Sequence, residues 1–236
     1  SSFVFLDDSD FEISEVQNYI KDIDCIKVPN DLNNYKKELL NICKFFNKIE
    51  NSTKEDKLRN EFYTQENKRL EIKKTFSYEK YLKSLNLEMN FGLAEKFNLE
   101  RLAQLTQKTN QFNLTLERQT LHEIQNKNKN KNCKIYAFSL KDKFGEYGTV
   151  GLMDISLSNE KKAVIKNFLM SCRVMGREVE STFLKEVINK LRKMNYKSIE
   201  GIYIKGPKNS IVESFYSQND FMIIKKNKNK KIFSVK

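Results

Sequence analysis

Apolar positions along the first fifty residues come in short bursts. Phe3, Val4, Phe5 and Leu6 form an unbroken run that ends in Asp7 and Asp8. A run of that kind reads as a buried parallel strand ending at a site. Ser9 or Asp10 stands where it can cap a helix over residues 11–20. Residues 26–28 read as a short strand stopped by Pro29, and Asp31 stands to cap a helix to about residue 46. The pattern is β-α-β-α, with no long sheet of its own. From 53 to 76 the chain is heavily charged, yet Leu58, Phe62, Gln65, Arg69 and Ile72 recur at helical spacing. That predicts a long exposed helix connecting two parts of the chain, followed by a short helix over 78–85.

The periodicity changes at Leu85. Residues 85–91 alternate as a strand does. Leu99, Leu102, Leu105 and Thr109 share one helical face, Leu121 and Ile124 sit in a second short helix, and 126–132 reads as a polar loop. Strands are expected over 135–140, 149–157 and 163–173, with a turn at 145–148. Val179, Phe183, Val187, Ile188 and Leu191 mark an amphipathic helix. A strand over 199–204, a helix over 210–218 and two closing strands near 222–224 and 232–235 complete the pattern. This is an α/β (α+β) pattern, expected as a mixed central sheet flanked by helices. The expected division is 1–50, a helical linker at 51–84, and a domain at 85–236.

Composition narrows the function classes. The chain has 236 residues, with 17 Phe and 10 Tyr to supply a core and no apolar run long enough to span a membrane. Ser1 is not an initiator Met, as expected of a piece of a longer protein, and the opening lacks the pattern of a signal peptide. Lys and Arg number 43 against 31 Asp and Glu, a net charge of +12. An excess of that size suits an acidic partner or reflects a Lys- and Asn-rich bias. The lysines are spread along the chain rather than gathered with aromatics on one stripe, so neither a nucleic-acid nor a membrane partner is expected. Cys25, Cys43, Cys133 and Cys172 show no CxxC spacing, which points away from a zinc site and toward a reducing, cytoplasmic setting. His122 is the only histidine, too few for a His-rich metal site.

Three stretches carry candidate chemistry. The first is SCRVMGREVE (171–180), a junction between a strand and a helix. Backbone amides at a helix N-terminus favour an anion such as a pyrophosphate. Gly176 permits close approach, and Arg173 and Arg177 add charge. Cys172 adjoins Arg173 near that helix start, a setting that favours thiolate; the alternative is an inert buried strand cysteine. The second is Asn209, Phe215-Tyr216 and Phe221, with Phe215 and Phe221 expected in the core. The third is RLAQLTQKTNQFNLT (101–115), which reads either as a capping network or as a recognition surface. On the second reading Thr109, Asn110, Gln111 and Asn113 bind substrate.

The first two stretches resemble the GNAT superfamily. There a Q/R-x-x-G-x-G/A loop cradles the coenzyme A pyrophosphate, and an N…FY…GF segment lines the pantetheine channel. The resemblance implies that Arg173, Gly176, Arg177 and Asn209 hold acetyl-CoA or phosphopantetheine, and that Tyr216 protonates the leaving thiolate. Glu178 stands where the loop has Gly or Ala, and Asp220 replaces the usual Gly. More specifically, RLAQLTQKTNQFNLT, LKDKFGEYGTVGL (140–152) and SCRVMGREVE resemble the C-terminal half of FkbH-like proteins of the HAD superfamily (subfamily IIIC). VFLDDSDFE (4–12) resembles the last HAD motif, in which Asp7 and Asp8 would help hold Mg²⁺ in a complete HAD domain. The HAD nucleophile motif DxDxT/V is absent, so no phosphatase activity is expected from this chain alone. The resemblance implies a role in polyketide biosynthesis: loading a glyceryl or other acyl unit from a small-molecule donor such as 1,3-bisphosphoglycerate onto an acyl carrier protein. Loading through a thioester needs a thiol, and Cys172 is the candidate to hold the acyl group in transit. The other two readings are an acetyl-CoA-dependent N-acetyltransferase and a non-catalytic carrier-protein docking module.

Overall fold

The computed structural model describes residues 4–20, 23–29, 31, 34–37, 40 and 54–235. The chain divides into two compact units, Ser1–Tyr63 and Thr64–Lys236. In the first, β1 (Val4–Asp7) pairs in parallel with β2 (Asp24–Lys27), from Val4 opposite Asp24 to Asp7 opposite Lys27. Between them runs α1 (Asp10–Tyr19), whose N-cap is Ser9; its hydroxyl accepts from the Glu12 N–H. The strand predicted to be buried is only half-buried, and Leu6 is exposed. An isolated pair of strands leaves both strands at an edge, so β1 is not enclosed as a central strand would be. The helix read from Asp31 to about residue 46, with Cys43, lies largely outside the described residues.

The connector helix is α2 (Lys54–Thr75), followed by α3 (Tyr78–Leu85). The second unit then runs β3 (Glu88–Leu93), α4 (Leu99–Lys108), α5 (Leu121–Lys129), β4 (Cys133–Asp142), β5 (Gly145–Leu157), β6 (Lys162–Met170), α6 (Val179–Lys193), β7 (Ser198–Ile204), β8 (Met222–Lys226) and β9 (Lys230–Val235). These strands form one seven-stranded sheet in the order β3-β4-β5-β6-β7-β9-β8. Every neighbouring pair is antiparallel except β6 and β7.

Alternation along the strands places helices on both faces. Ala137, Leu152 and Leu169 meet Leu102, Leu105 and Ile124 of α4 and α5. On the opposite face Phe138 and Phe168 meet Phe183 of α6. Helix α6 buries Val179, Phe183, Leu184, Val187, Ile188 and Leu191, matching its predicted apolar stripe. Each large apolar side chain so buried contributes roughly 1.5–3 kcal/mol.

Three local readings are corrected. The polar string from 126 is helical as far as Lys129, because Thr120 and Glu123 form a capping box and Lys127 is tied to Glu117 and Asp154. The third strand ends at Met170, and Cys172–Val174 is a 3-10 turn. In place of a helix over 210–218 stand two 3-10 turns, Ser210–Val212 and Ser217–Asn219. Ser210, Ser214, Ser217 and Asn219 are residues that compete with helical backbone bonds, and Asn219 donates to the Phe215 carbonyl.

Candidate functional site

The parallel pair β6 and β7 is joined only from Lys162–Ser198 to Ile165–Gly201. Beyond that the strands part, leaving a wedge that opens toward the C-terminal ends of both. The sequence-predicted turn begins at the mouth of this wedge. Ser171 is held to the sheet by its N–H on the Val150 carbonyl (2.7 Å), and the chain then turns through Cys172–Val174. Gly176 has φ +69, a conformation that favours glycine, and a side chain there would meet open space. Glu178 is the N-cap of α6 and is itself left-handed (φ 59), with no side-chain cap bond. Glycine at the sixth loop position would relieve that strain, which costs about 1–2 kcal/mol for other residues.

Cys172 is exposed on the 3-10 turn, so the reading of a buried strand cysteine is corrected. Arg173 is exposed as well. Arg177 turns inward: 6% exposed, it donates to the Arg173 carbonyl and to both carboxylate oxygens of Glu66 (3.2 and 3.3 Å). Its guanidinium also lies 5.0 Å from the Tyr147 ring centre. The Tyr78 hydroxyl donates to the Gly176 carbonyl (3.1 Å). Burial, reinforced by Glu178, raises the Glu180 carboxyl above its ordinary range, and its Oε2 is buried without a partner. The same two carboxylates add to burial in raising the Tyr78 phenol. Acidic groups therefore stand at the α6 N-terminus alongside the outward-facing Arg173.

The second stretch is closed rather than open. Tyr216 is 1% exposed, its ring covers Gly201 of β7, and a Cβ on that glycine would lie 2.3 Å from Cζ. Burial pushes its phenol far up, and its hydroxyl has no partner. Phe215 and Phe221 are core, as expected. Asn209 is fully buried; it donates to the Asn113 carbonyl (2.8 Å) and the Ile204 carbonyl (3.0 Å) and accepts from Gly206 N–H (2.8 Å). Its amide has no donor left for a cofactor, and the Tyr216 hydroxyl does not face solvent.

The third stretch behaves as a capping and bracing network. Thr109 and Asn113 are buried; the Asn113 side chain donates to the Thr109 carbonyl (3.1 Å) and accepts from Leu116 N–H (2.8 Å). Asn110 is half-buried, its amide oxygen accepting from Arg118, and Gln111 is exposed. The backbone that follows enters the wedge. The Phe112 carbonyl accepts from Met170 N–H (3.0 Å), Leu114 N–H donates to the Phe168 carbonyl (3.0 Å), and the Leu114 carbonyl accepts from Ile204 N–H (2.8 Å). Asn113 forms an antiparallel bridge with Leu169.

Sequence reasoning missed a buried charge cluster behind the turn. Arg69, read as part of an exposed helix, is completely buried and doubly bonded to Asp142 (2.7 and 2.8 Å). Tyr147 OH donates to the same carboxylate (2.7 Å). Burial alone would raise the Asp142 carboxyl, but Arg69, Tyr147 and the Phe144 amide outweigh it and hold it below its ordinary value. The available signal was an arginine inside the apolar spacing of α2. Asp7 accepts from Ser9 N–H, and among the described residues no group of three His, Cys, Asp or Glu side chains is gathered to hold a metal.

The fit of acyl-CoA is therefore divided. The turn leaves room for a phosphate over Gly176. In the wedge an amide-bearing arm would find the Phe168 carbonyl, Met170 N–H and Ile204 N–H already bonded to the backbone of residues 112–114.

No protein-family model and no curated protein matches the chain. Solved structures do. A domain from Methanocaldococcus jannaschii is 16% identical, with 64% of this chain and 99% of that one aligned at a TM-score of 0.50. The ribosomal-protein-S18-alanine N-acetyltransferase from Escherichia coli is 10% identical over 63% of this chain and 93% of its own, at 0.48. The PaiA N-acetyltransferase from Thermoplasma acidophilum, solved with coenzyme A, is 14% identical over 64% and 99%, at 0.46. At these identities the likeness is one of fold. The second unit shares the α/β fold of the Methanocaldococcus jannaschii domain: a mixed sheet, antiparallel but for the splayed parallel pair, with helices on both faces. No helix among the described residues is long and apolar enough to cross a membrane.

Proposed function

We propose that the chain is the C-terminal part of an FkbH-like protein that passes a glyceryl or related acyl unit to an acyl carrier protein through a thioester on Cys172. The observation that carries this reading is the exposed Cys172 on the turn at the mouth of the wedge, beside Arg173 and an uncapped α6 N-terminus. Positive helix ends and arginines attract phosphate. The Cys172 sulfur attacks the carbonyl of an acyl phosphate. The S–acyl bond forms as the acyl–oxygen bond breaks, and the electron pair leaves on phosphate. The thiol of the carrier's phosphopantetheine then attacks the thioester, and Cys172 leaves and is reprotonated. Arg173 is suited to the phosphate of the carrier's arm.

Residues 1–50 are proposed as a piece of a HAD-like domain, with 51–84 as linker and 85–236 as the GNAT-like domain. Asp7 and Asp8 would contribute to Mg²⁺ only in a complete HAD domain. One observation favours a second reading, a docking module without chemistry: the sealed Tyr216 hydroxyl, which has no path to a leaving thiolate.

Intact-mass analysis after incubation with an acyl phosphate separates the two. An adduct mapped to Cys172 and lost in Cys172→Ser supports the transfer reading. An unmodified Cys172 alongside normal carrier binding refutes it in favour of docking.

A further inference from the structure

The sheet of the second unit has one interior gap, where β6 and β7 part, and the chain fills it itself. The filling is continuous backbone. Met170 N–H and the Phe168 carbonyl of β6 face β7 beyond the paired region and bond to Phe112 and Leu114. On the far side the Leu114 carbonyl takes Ile204 N–H of β7. Thr115 N–H is held by the Asn167 side chain (3.2 Å), and Asn209 clamps the Asn113 carbonyl from behind. The side chains seal the rest. Asn113 and Leu114 have no exposed surface, and the Phe112 ring packs edge-on against Phe168 (5.1 Å) and Phe215 (5.3 Å).

An extended chain entering an open sheet gains affinity from unpaired strand groups. Here an arriving arm would first have to break three sheet bonds and strip several buried partners. Buried backbone groups left unpaired are strongly unfavourable.

We infer that Phe112–Thr115 is a built-in occupant of the β6–β7 wedge that excludes pantetheine arms, whether of coenzyme A or of a carrier protein. Such an arm then meets Cys172 only from the solvent side of the turn. The second half of this inference rests on Cys172 as the acyl-carrying thiol; the first half does not. The segment is thereby a specificity element: it separates thiol-arm acceptors that reach the surface turn from acyl-CoA donors that need to lie between strands.

Amide hydrogen exchange on the whole protein tests it, with coenzyme A as probe at millimolar concentration. Leu114, Met170 and Ile204 amides are expected to exchange slowly, at rates unchanged within about twofold on adding coenzyme A, as for other core amides. A tenfold or larger change at those amides would place the arm in the wedge and overturn the inference. If exchange is unchanged and Cys172→Ser still loads carrier at the full rate, the wedge stands closed and the Cys172 reading fails alone.

Discussion

Arg69 gives the sharpest test of how the second unit is held together. Its guanidinium has no exposed surface and makes two bonds to Asp142, whose carboxylate is likewise buried. Arg69→Met removes the cation and keeps most of the volume. The Asp142 carboxylate would retain Tyr147 OH and the amides of Phe144 and Gly145, but as a buried charge without a counter-ion. Breaking one side of such a pair costs about 3–5 kcal/mol. With a urea slope of about 2–3 kcal/mol per molar, the unfolding midpoint should fall by roughly 1–2.5 M. The double variant Arg69→Met with Asp142→Asn removes the orphaned charge while leaving an oxygen for the turn amides, and should recover much of the loss. The assay is urea unfolding followed by circular dichroism. A loss of only about 0.2–1 kcal/mol, the range of an exposed pair, would refute a buried role for Arg69.

Other expectations are quicker to check. Asp142 titrates below its ordinary value in the folded state. Its contribution is therefore complete above the unfolded carboxylate value of about 3.9 and is lost as pH falls below it; Asp142→Asn should flatten the acid limb of a stability–pH curve. Tyr216→Phe removes a buried hydroxyl that has no partner, so the melting temperature should hold or rise, and a fall would reveal a bond the structure lacks. Glu178→Gly relieves a left-handed residue and should stabilise by about 1 kcal/mol in thermal melts; a loss would mean that the carboxylate is needed at the α6 N-terminus. Gly201→Ala drives a methyl into the Tyr216 ring and should cost about 1–3 kcal/mol by the same measurement, an unchanged melt meaning that the ring yields freely.

What the sequence made legible follows from how local each signal is. Helix α6 was plain because its apolar residues keep one helical period over fifteen residues. The central strands were plain because their apolar runs are broken by turn residues such as Gly145 and by polar stretches. The turn at Gly176 was legible because glycine, arginines and a helix start coincide. The region 210–218 misled because its apolar spacing is helical while it is rich in serine and the Asn219 side chain bonds to the Phe215 carbonyl, and only packing decides between those. Arg177 and Asn209 were placed at a site by motif, whereas the fold spends their donors on Glu66 and on the Asn113 carbonyl, far away in sequence. The string at 109–115 could not be resolved from sequence because its meaning is topological: it is a backbone bridge between two strands, and uncharged polar residues serve a bridge as well as a surface.

The central claim is passage of an acyl group from Cys172 to a carrier. Whole protein bearing a labelled acyl group on Cys172, freed of donor, should be mixed with holo acyl carrier protein and followed by intact mass. The account expects the label to leave Cys172 and appear on the carrier's phosphopantetheine, with no transfer to the apo carrier. Label that stays on Cys172, or that is released only to water, would contradict it.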